Sequence, residues 1–204
     1  MPAERARFVS SAPSPTVTAD RSAERIVAQL GARSIVLVGM PGAGKTSIGR
    51  RLATLLDLPF VDADHEIEAA AGMAIADIFE VHGEAAFRDG ERRVIQRLLA
   101  GGPQVLATGG GAFMNADTRA EIARHGISVW LRADHATLMQ RVRRRSHRPL
   151  LAGGDADAVM RRLLEEREPV FALSDIEVQS RDGPHETIVA SLAAPAVQAW
   201  RRIG

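Results

Sequence analysis

The apolar run Ile35-Val36-Leu37-Val38 leads without a break into GMPGAGKTS, residues 39–47. Three glycines, a proline and a single lysine at the end of a β-branched run have too little side chain to pack a core. What they offer is backbone. Gly39, Gly42, Gly44, Lys45 and Thr46 fit G-x-x-x-x-G-K-[ST], the phosphate-binding loop. The glycines permit positive φ and let successive N–H groups turn around an anion. A helix beginning near Gly44 points its positive end at the same phosphates. Lys45 adds a point charge for the β- and γ-phosphates, and Thr46 a hydroxyl for Mg²⁺. The flanks agree with this reading: a strand precedes, and Ile48 to Leu56 follows with helical spacing. The plain alternative is a glycine turn joining strand to helix. The nucleotide cradle is Gly42, Ala43, Gly44, Lys45, Thr46 and Ser47.

Beyond the loop, strand and helix signals alternate. Strands are expected at 34–38, 59–62, 104–108, 127–131 and 175–178. Helices are expected at 22–30, 64–71, 75–81, 84–100, from Asn115 to Gly126, from Asp134 to Arg145, in a stretch ending before Pro169, and at 185–202. Such alternation implies an α/β domain with a mostly parallel sheet covered on both faces, its ligands at the carboxyl ends of the strands. Residues 1–20, rich in Pro, Ser, Thr and Ala, read as a disordered tail, and 21–204 as one domain. Lys and Arg total 26 against 25 Asp and Glu, so there is no overall drive toward nucleic acid or membrane. Cysteine is absent, which removes disulfides and thiolate metal sites and fits a reducing cytoplasm. No apolar run approaches the roughly 20 residues that span a bilayer, and the N-terminus has no signal-peptide core.

Five further stretches hold candidate chemistry. Asp62 and Asp64 end the second strand, where residues two apart share a face. They are either two site carboxylates, one for Mg²⁺ and one for the proton of an attacking hydroxyl, or a strand end whose aspartate caps the next helix. Arg88 and Glu91 lie on one helical face, as a surface ion pair or as an anion-binding arginine held by a glutamate. Gly109-Gly110-Gly111 follows a strand, as a connector or as backbone that something approaches closely. The basic run Arg141 to Arg148 leads into Ala152-Gly153-Gly154-Asp155, as a solvated helix end, a nucleic-acid patch or a lid carrying an arginine to the γ-phosphate. Arg167, before Pro169, is a last-turn cation or a fork for a carboxylate.

In order along the chain, GMPGAGKTSIGRRLA, FVDADHEIE, IADIFEVHGEAAFRDGE, VLATGGGA, RPLLAG and EEREPVF resemble the shikimate kinase family, over about residues 33–192. The resemblance implies a nucleoside-monophosphate-kinase-like P-loop fold, a three-layer sandwich around a five-stranded parallel sheet in the order 2-3-1-4-5. It implies transfer of the ATP γ-phosphoryl group to the 3-hydroxyl of shikimate, on the route to chorismate and the aromatic amino acids. By the same resemblance Lys45 cradles phosphate and Thr46 binds Mg²⁺, with Ser47 an alternative hydroxyl. Asp62 supports the metal's water shell, and Asp64 holds the substrate hydroxyls where a base would sit. Arg88, Gly110, Gly111 and Arg167 bind shikimate, with Glu91 orienting Arg88. Arg148 comes from a lid, about 143–155, to touch the phosphates, and Arg141 and Arg181 flank the adenine. It also implies a cytoplasmic monomer with ATP and shikimate as its small-molecule substrates and no nucleic-acid or membrane partner. Two other readings stay open: a kinase of another small polyol acid such as gluconate, and a regulator that uses nucleotide as a switch.

Overall fold

The computed structural model of the protein describes residues 15–143 and 155–180, with side chains from residue 23 onward. Five parallel strands form one sheet in the order β2-β3-β1-β4-β5. They are β1 Ser34–Val38, β2 Phe60–Asp62, β3 Val105–Ala107, β4 Gly126–Arg132 and β5 Ile176–Gln179. β1 is buried at every position, as a central parallel strand must be when helices cover both faces. Around the sheet run α1 Pro15–Leu30, α2 Lys45–Leu56, α3 Ala63–Ala71, α4 Ile75–Leu99, α5 Ala116–His125, α6 His135–Arg143 and α7 Ala156–Phe171, with a 3₁₀ turn at Ala112–Met114. β1 lies between β3 and β4, so the chain leaves β1 toward β2 on one side and later reaches β4 on the other. That reversal opens a crevice at the strands' carboxyl ends. Both the phosphate loop and the triple glycine lie there, since each directly follows its strand. Among the described residues no helix is long and apolar enough to cross a membrane.

Three expectations need correction. The first helix starts at Pro15 rather than residue 22, so residues 15–20 belong to α1 and not to a tail. Proline suits a first helical position, where its missing N–H would have had no partner, and α1 is anchored downstream by Ala23, Ile26 and Leu30 in the core. Second, Pro169 does not stop its helix: α7 continues to Phe171. The carbonyl that loses its donor belongs to Glu165, an exposed residue, so leaving that carbonyl unpaired within the helix costs little. Third, Asp64 is not on the strand. α3 begins at Ala63, and the two-residue alternation that was to bring Asp62 and Asp64 to one face does not operate.

The helices expected at 75–81 and 84–100 form the single element α4, broken at Gly83 by φ 78° and ψ 171°. Asn115 caps α5 through a 3.0 Å bond accepted from the Thr118 N–H, and Asp134 caps α6 by accepting from Thr137 N–H at 2.7 Å. The expected helix at 185–202, residues 1–14 and most of the expected lid lie outside the described residues. Ile26 is 1% exposed, and Ile26→Ala is expected to destabilise the protein by about 2–5 kcal/mol. The shift in urea midpoint measures it; an unchanged midpoint would mean that α1 does not belong to the core. Deleting residues 1–14, by contrast, should leave kcat/KM within about twofold.

Candidate active site

The phosphate loop has the backbone its sequence requires. Gly39, Gly42 and Gly44 have φ of 135°, 88° and 95°, values that L side chains seldom adopt. Gly44 immediately precedes α2, so the helix's unpaired N–H groups face the space that the loop encloses. Lys45 Nζ donates to Gly39 O at 2.8 Å and Met40 O at 3.0 Å, which holds the ammonium against its own loop. Thr46 Oγ1 donates to Asp62 Oδ2 at 2.9 Å. Asp62 Oδ1 accepts the Asp64 N–H at 3.2 Å, capping α3. The helix-cap reading of Asp62 holds: one oxygen caps α3, while the other accepts from the Thr46 hydroxyl of the phosphate loop. Ser47 lies on the first turn of α2, and its carbonyl accepts from Arg51 at 3.0 Å.

The triple glycine forms the second half of the site. A Cβ on Gly109 would lie 2.7 Å from Glu91 Oε1 and 2.9 Å from Asp64 Oδ1. One on Gly111 would lie 2.7 Å from Arg88 Nη1, and one on Gly110 2.8 Å from the Pro41 ring. The close approach anticipated for these glycines is thus made by the protein's own side chains. Asp64, Glu91 and Arg88 crowd one backbone loop, and Pro41 of the phosphate loop abuts it. Arg167 Nη1 donates to Gly110 O at 2.9 Å, bringing the end of α7 to the same loop. Gly109→Ala is expected to raise the KM of a small anion bound at this loop about tenfold or more, with binding at the phosphate loop little changed, since the methyl collides with Asp64 and Glu91 and not with the phosphate loop. Initial-rate kinetics with each substrate varied check this; a larger rise in the KM of the phosphate-loop ligand would contradict it.

Glu91 is 3% exposed and accepts from Arg88 Nη1 at 2.8 Å. Burial raises its carboxyl above the usual range; Asp64 adds to the rise, and Arg88 and Arg167 oppose it. Arg88 also donates to Glu84 Oε1, from Nη2 at 3.2 Å and Nε at 3.3 Å. Burial alone would lower the Arg88 guanidinium, but its bonds and charges with Glu91 and Glu84 outweigh that and raise it. Its Cζ also lies 5.0 Å from the Phe87 ring centroid and 6.0 Å from that of Phe79. Arg167 is shifted the other way: burial lowers it, and the Arg88 guanidinium lowers it further. Two guanidiniums that repel across one half-buried loop create a place where an anion is welcome. Because Glu91 is nearly fully buried, its pair with Arg88 is more than the exposed ion pair that was the plainer reading.

Arg141 reaches the phosphate loop, donating from Nη1 to Ser180 Oγ at 2.9 Å and to Ala43 O at 3.4 Å. The structure thus brings Lys45, Thr46, Asp62 and Arg141 to the phosphate loop, and Asp64, Arg88, Gly110, Gly111 and Arg167 to the glycine loop. Arg148 and Arg181 lie outside the described residues. Glu84, Pro41 and Ser180 were not foreseen. Glu84 could have been found, since it precedes Arg88 by one helical turn; Pro41 and Ser180 have partners distant in sequence and leave no local signal.

Comparison with known proteins follows the same residues. A family model described as shikimate kinase matches residues 41–195. The chain is 64% identical over 164 residues to a shikimate kinase of Bradyrhizobium diazoefficiens, covering 80% of this chain and 79% of that one. Its structure resembles that of the shikimate kinase from Acinetobacter baumannii in complex with shikimate, with a TM-score of 0.80 and 36% identity, covering 85% of this chain and 97% of that one. A gluconokinase from Sinorhizobium meliloti matches with a TM-score of 0.54 and 19% identity, over 84% and 95% of the two chains, a likeness of fold alone.

Proposed function

Because the chain belongs to the shikimate kinase family, we infer that the two loops at the strand ends divide its reaction between them. The reaction is the ATP-dependent phosphorylation of the 3-hydroxyl of shikimate, yielding shikimate 3-phosphate and ADP. The observation that carries the division of labour is the convergence of Arg88, Arg167 and Asp64 on Gly109-Gly110-Gly111, beside but separate from the phosphate loop. A nucleotide switch needs no second anion pocket, and its two arginines would be idle.

On this reading the N–H groups from Gly42 to Ser47 and the Lys45 ammonium hold the ATP phosphates. Arg141 and Arg181 flank the adenine, and Arg148 neutralises the transferring phosphoryl group. Arg88 and Arg167 grip the shikimate carboxylate, with Glu91 and Glu84 fixing the direction of the Arg88 fork. Asp64, against Gly109, accepts the hydroxyl hydrogen bond and turns the attacking oxygen toward the phosphate. Thr46 and Asp62 suit Mg²⁺, since a hydroxyl and a carboxylate already 2.9 Å apart are both hard oxygen donors. Among the described residues no cluster of three or more His, Cys, Asp or Glu could cage a metal, which agrees with an ion held partly by phosphate and water. When bound there, Mg²⁺ would offset the negative charge of the phosphates. The balanced charge gives no overall drive toward nucleic acid or membrane, and the reading is completed by a cytoplasmic monomer acting on two small molecules.

A coupled ADP-release assay tests the reading. ADP should form with shikimate and not with gluconate. Turnover with gluconate at a comparable rate would favour the other polyol kinase, and nucleotide binding without shikimate-dependent turnover would favour the switch.

A further inference from the structure

We propose that Ser180 is a positioning residue for the nucleotide, acting through Arg141. Ser180 directly follows β5 and is 2% exposed. Its N–H donates to Arg132 O at 2.6 Å, tying it to the carboxyl end of β4. Its hydroxyl donates to Ala43 O, inside the phosphate loop, at 2.8 Å and accepts from Arg141 Nη1 at 2.9 Å. A serine hydroxyl has one proton and two lone pairs, so giving the proton to Ala43 leaves a lone pair facing the guanidinium. The relay Arg141 to Ser180 to Ala43 joins three segments far apart in sequence: α6, the end of β5 and the loop.

The surroundings make the relay matter for binding. α6 leans on the loop so closely that a Cβ on Gly42 would lie 2.9 Å from Val142 Cγ2. Arg141 Nη1 lies 3.8 Å from the Cβ position of Gly44, beside the start of α2. Ser180 therefore sets where the Arg141 guanidinium stands relative to the N–H groups of the phosphate cradle. Without its hydroxyl, the buried Ala43 carbonyl loses its 2.8 Å donor, and the longer 3.4 Å Arg141 contact remains.

The inference rests on the kinase reading only in taking the cradle to hold a nucleotide. Calorimetric titration with ADP needs no shikimate, so it can fail or succeed separately from shikimate-dependent ADP release. Ser180→Ala is expected to weaken ADP binding about tenfold, the size of one lost hydrogen bond to a charged group. In an Arg141→Met background the same change should cost less than about twofold, because the route through Arg141 is already broken. A merely structural serine would cost the same in both backgrounds. Equal losses in the two backgrounds, or unchanged ADP affinity in Ser180→Ala, would overturn the proposal. Should the alanine variant fail to fold, Ser180→Cys keeps the size with a poor hydrogen-bonding group; it should lose ADP affinity in the same direction, and wild-type affinity there would equally overturn it.

Discussion

Asp64→Asn is expected to reduce kcat for shikimate phosphorylation by about 10²- to 10⁴-fold while leaving ADP affinity nearly unchanged. Loss of a general base alone covers that range. Misplacing a reacting hydroxyl by about 1 Å costs on the order of 10² by itself, so the asparagine variant cannot divide the two effects. Asp64→Glu can. Phosphoryl transfer passes through a loose transition state in which early deprotonation of the nucleophile is not the main barrier. Asp64 Oδ1 already lies 2.9 Å from the Cβ position of Gly109, with Glu91 Oε1 on the same spot at 2.7 Å. An extra methylene has no room to extend there without moving the carboxylate off its line. Asp64→Glu should therefore be as inactive as Asp64→Asn, because orientation outweighs basicity. Recovery of most of the activity by glutamate would reverse that ranking, and normal turnover in Asp64→Asn would remove the residue from the site.

Arg88→Lys is expected to raise the KM for shikimate about 10- to 100-fold and that for ATP by less than about threefold. Charge-assisted hydrogen bonds contribute about 1.5–3 kcal/mol each, and every 1.4 kcal/mol is tenfold in affinity. Lysine keeps the charge but has no planar fork. The arginine directs Nη1 at Glu91 and Nη2 and Nε at Glu84, so its orientation is set before substrate arrives. An ammonium on a flexible stem cannot meet two glutamates from fixed directions and still present paired donors to a carboxylate. Equal rises in both KM values would mean that this arginine serves the whole active site rather than its substrate half.

Where the chemistry is local, it was legible before any coordinates. The positive-φ glycines, the lysine and the threonine of the phosphate loop are contiguous, and backbone geometry follows from residue type over such short distances. The Asn115 and Asp134 caps are local for the same reason. Pro169 misled because a proline removes one N–H, and whether that ends a helix depends on whether the orphaned carbonyl can reach water, which is a matter of burial. Asp64 misled in its reason and not in its place. Strand alternation was the wrong geometry for a residue in the first turn of α3, yet the carboxylate still reaches Gly109.

The sequence by itself determined that this chain binds a nucleotide at a strand end and alternates strands with helices, because both follow from contiguous residue types and their periodicity. The family resemblance grouped Arg88, Arg167, Asp64, Gly110 and Gly111 around one substrate, but the tertiary structure alone decided how they meet: side chains packed against one glycine loop, Glu91 buried enough to hold Arg88 and not merely pair with it, and Ser180 reaching Ala43. Each of those meetings joins segments separated in the chain, and the order in which the strands are laid side by side, not any local preference, brings them within hydrogen-bonding distance.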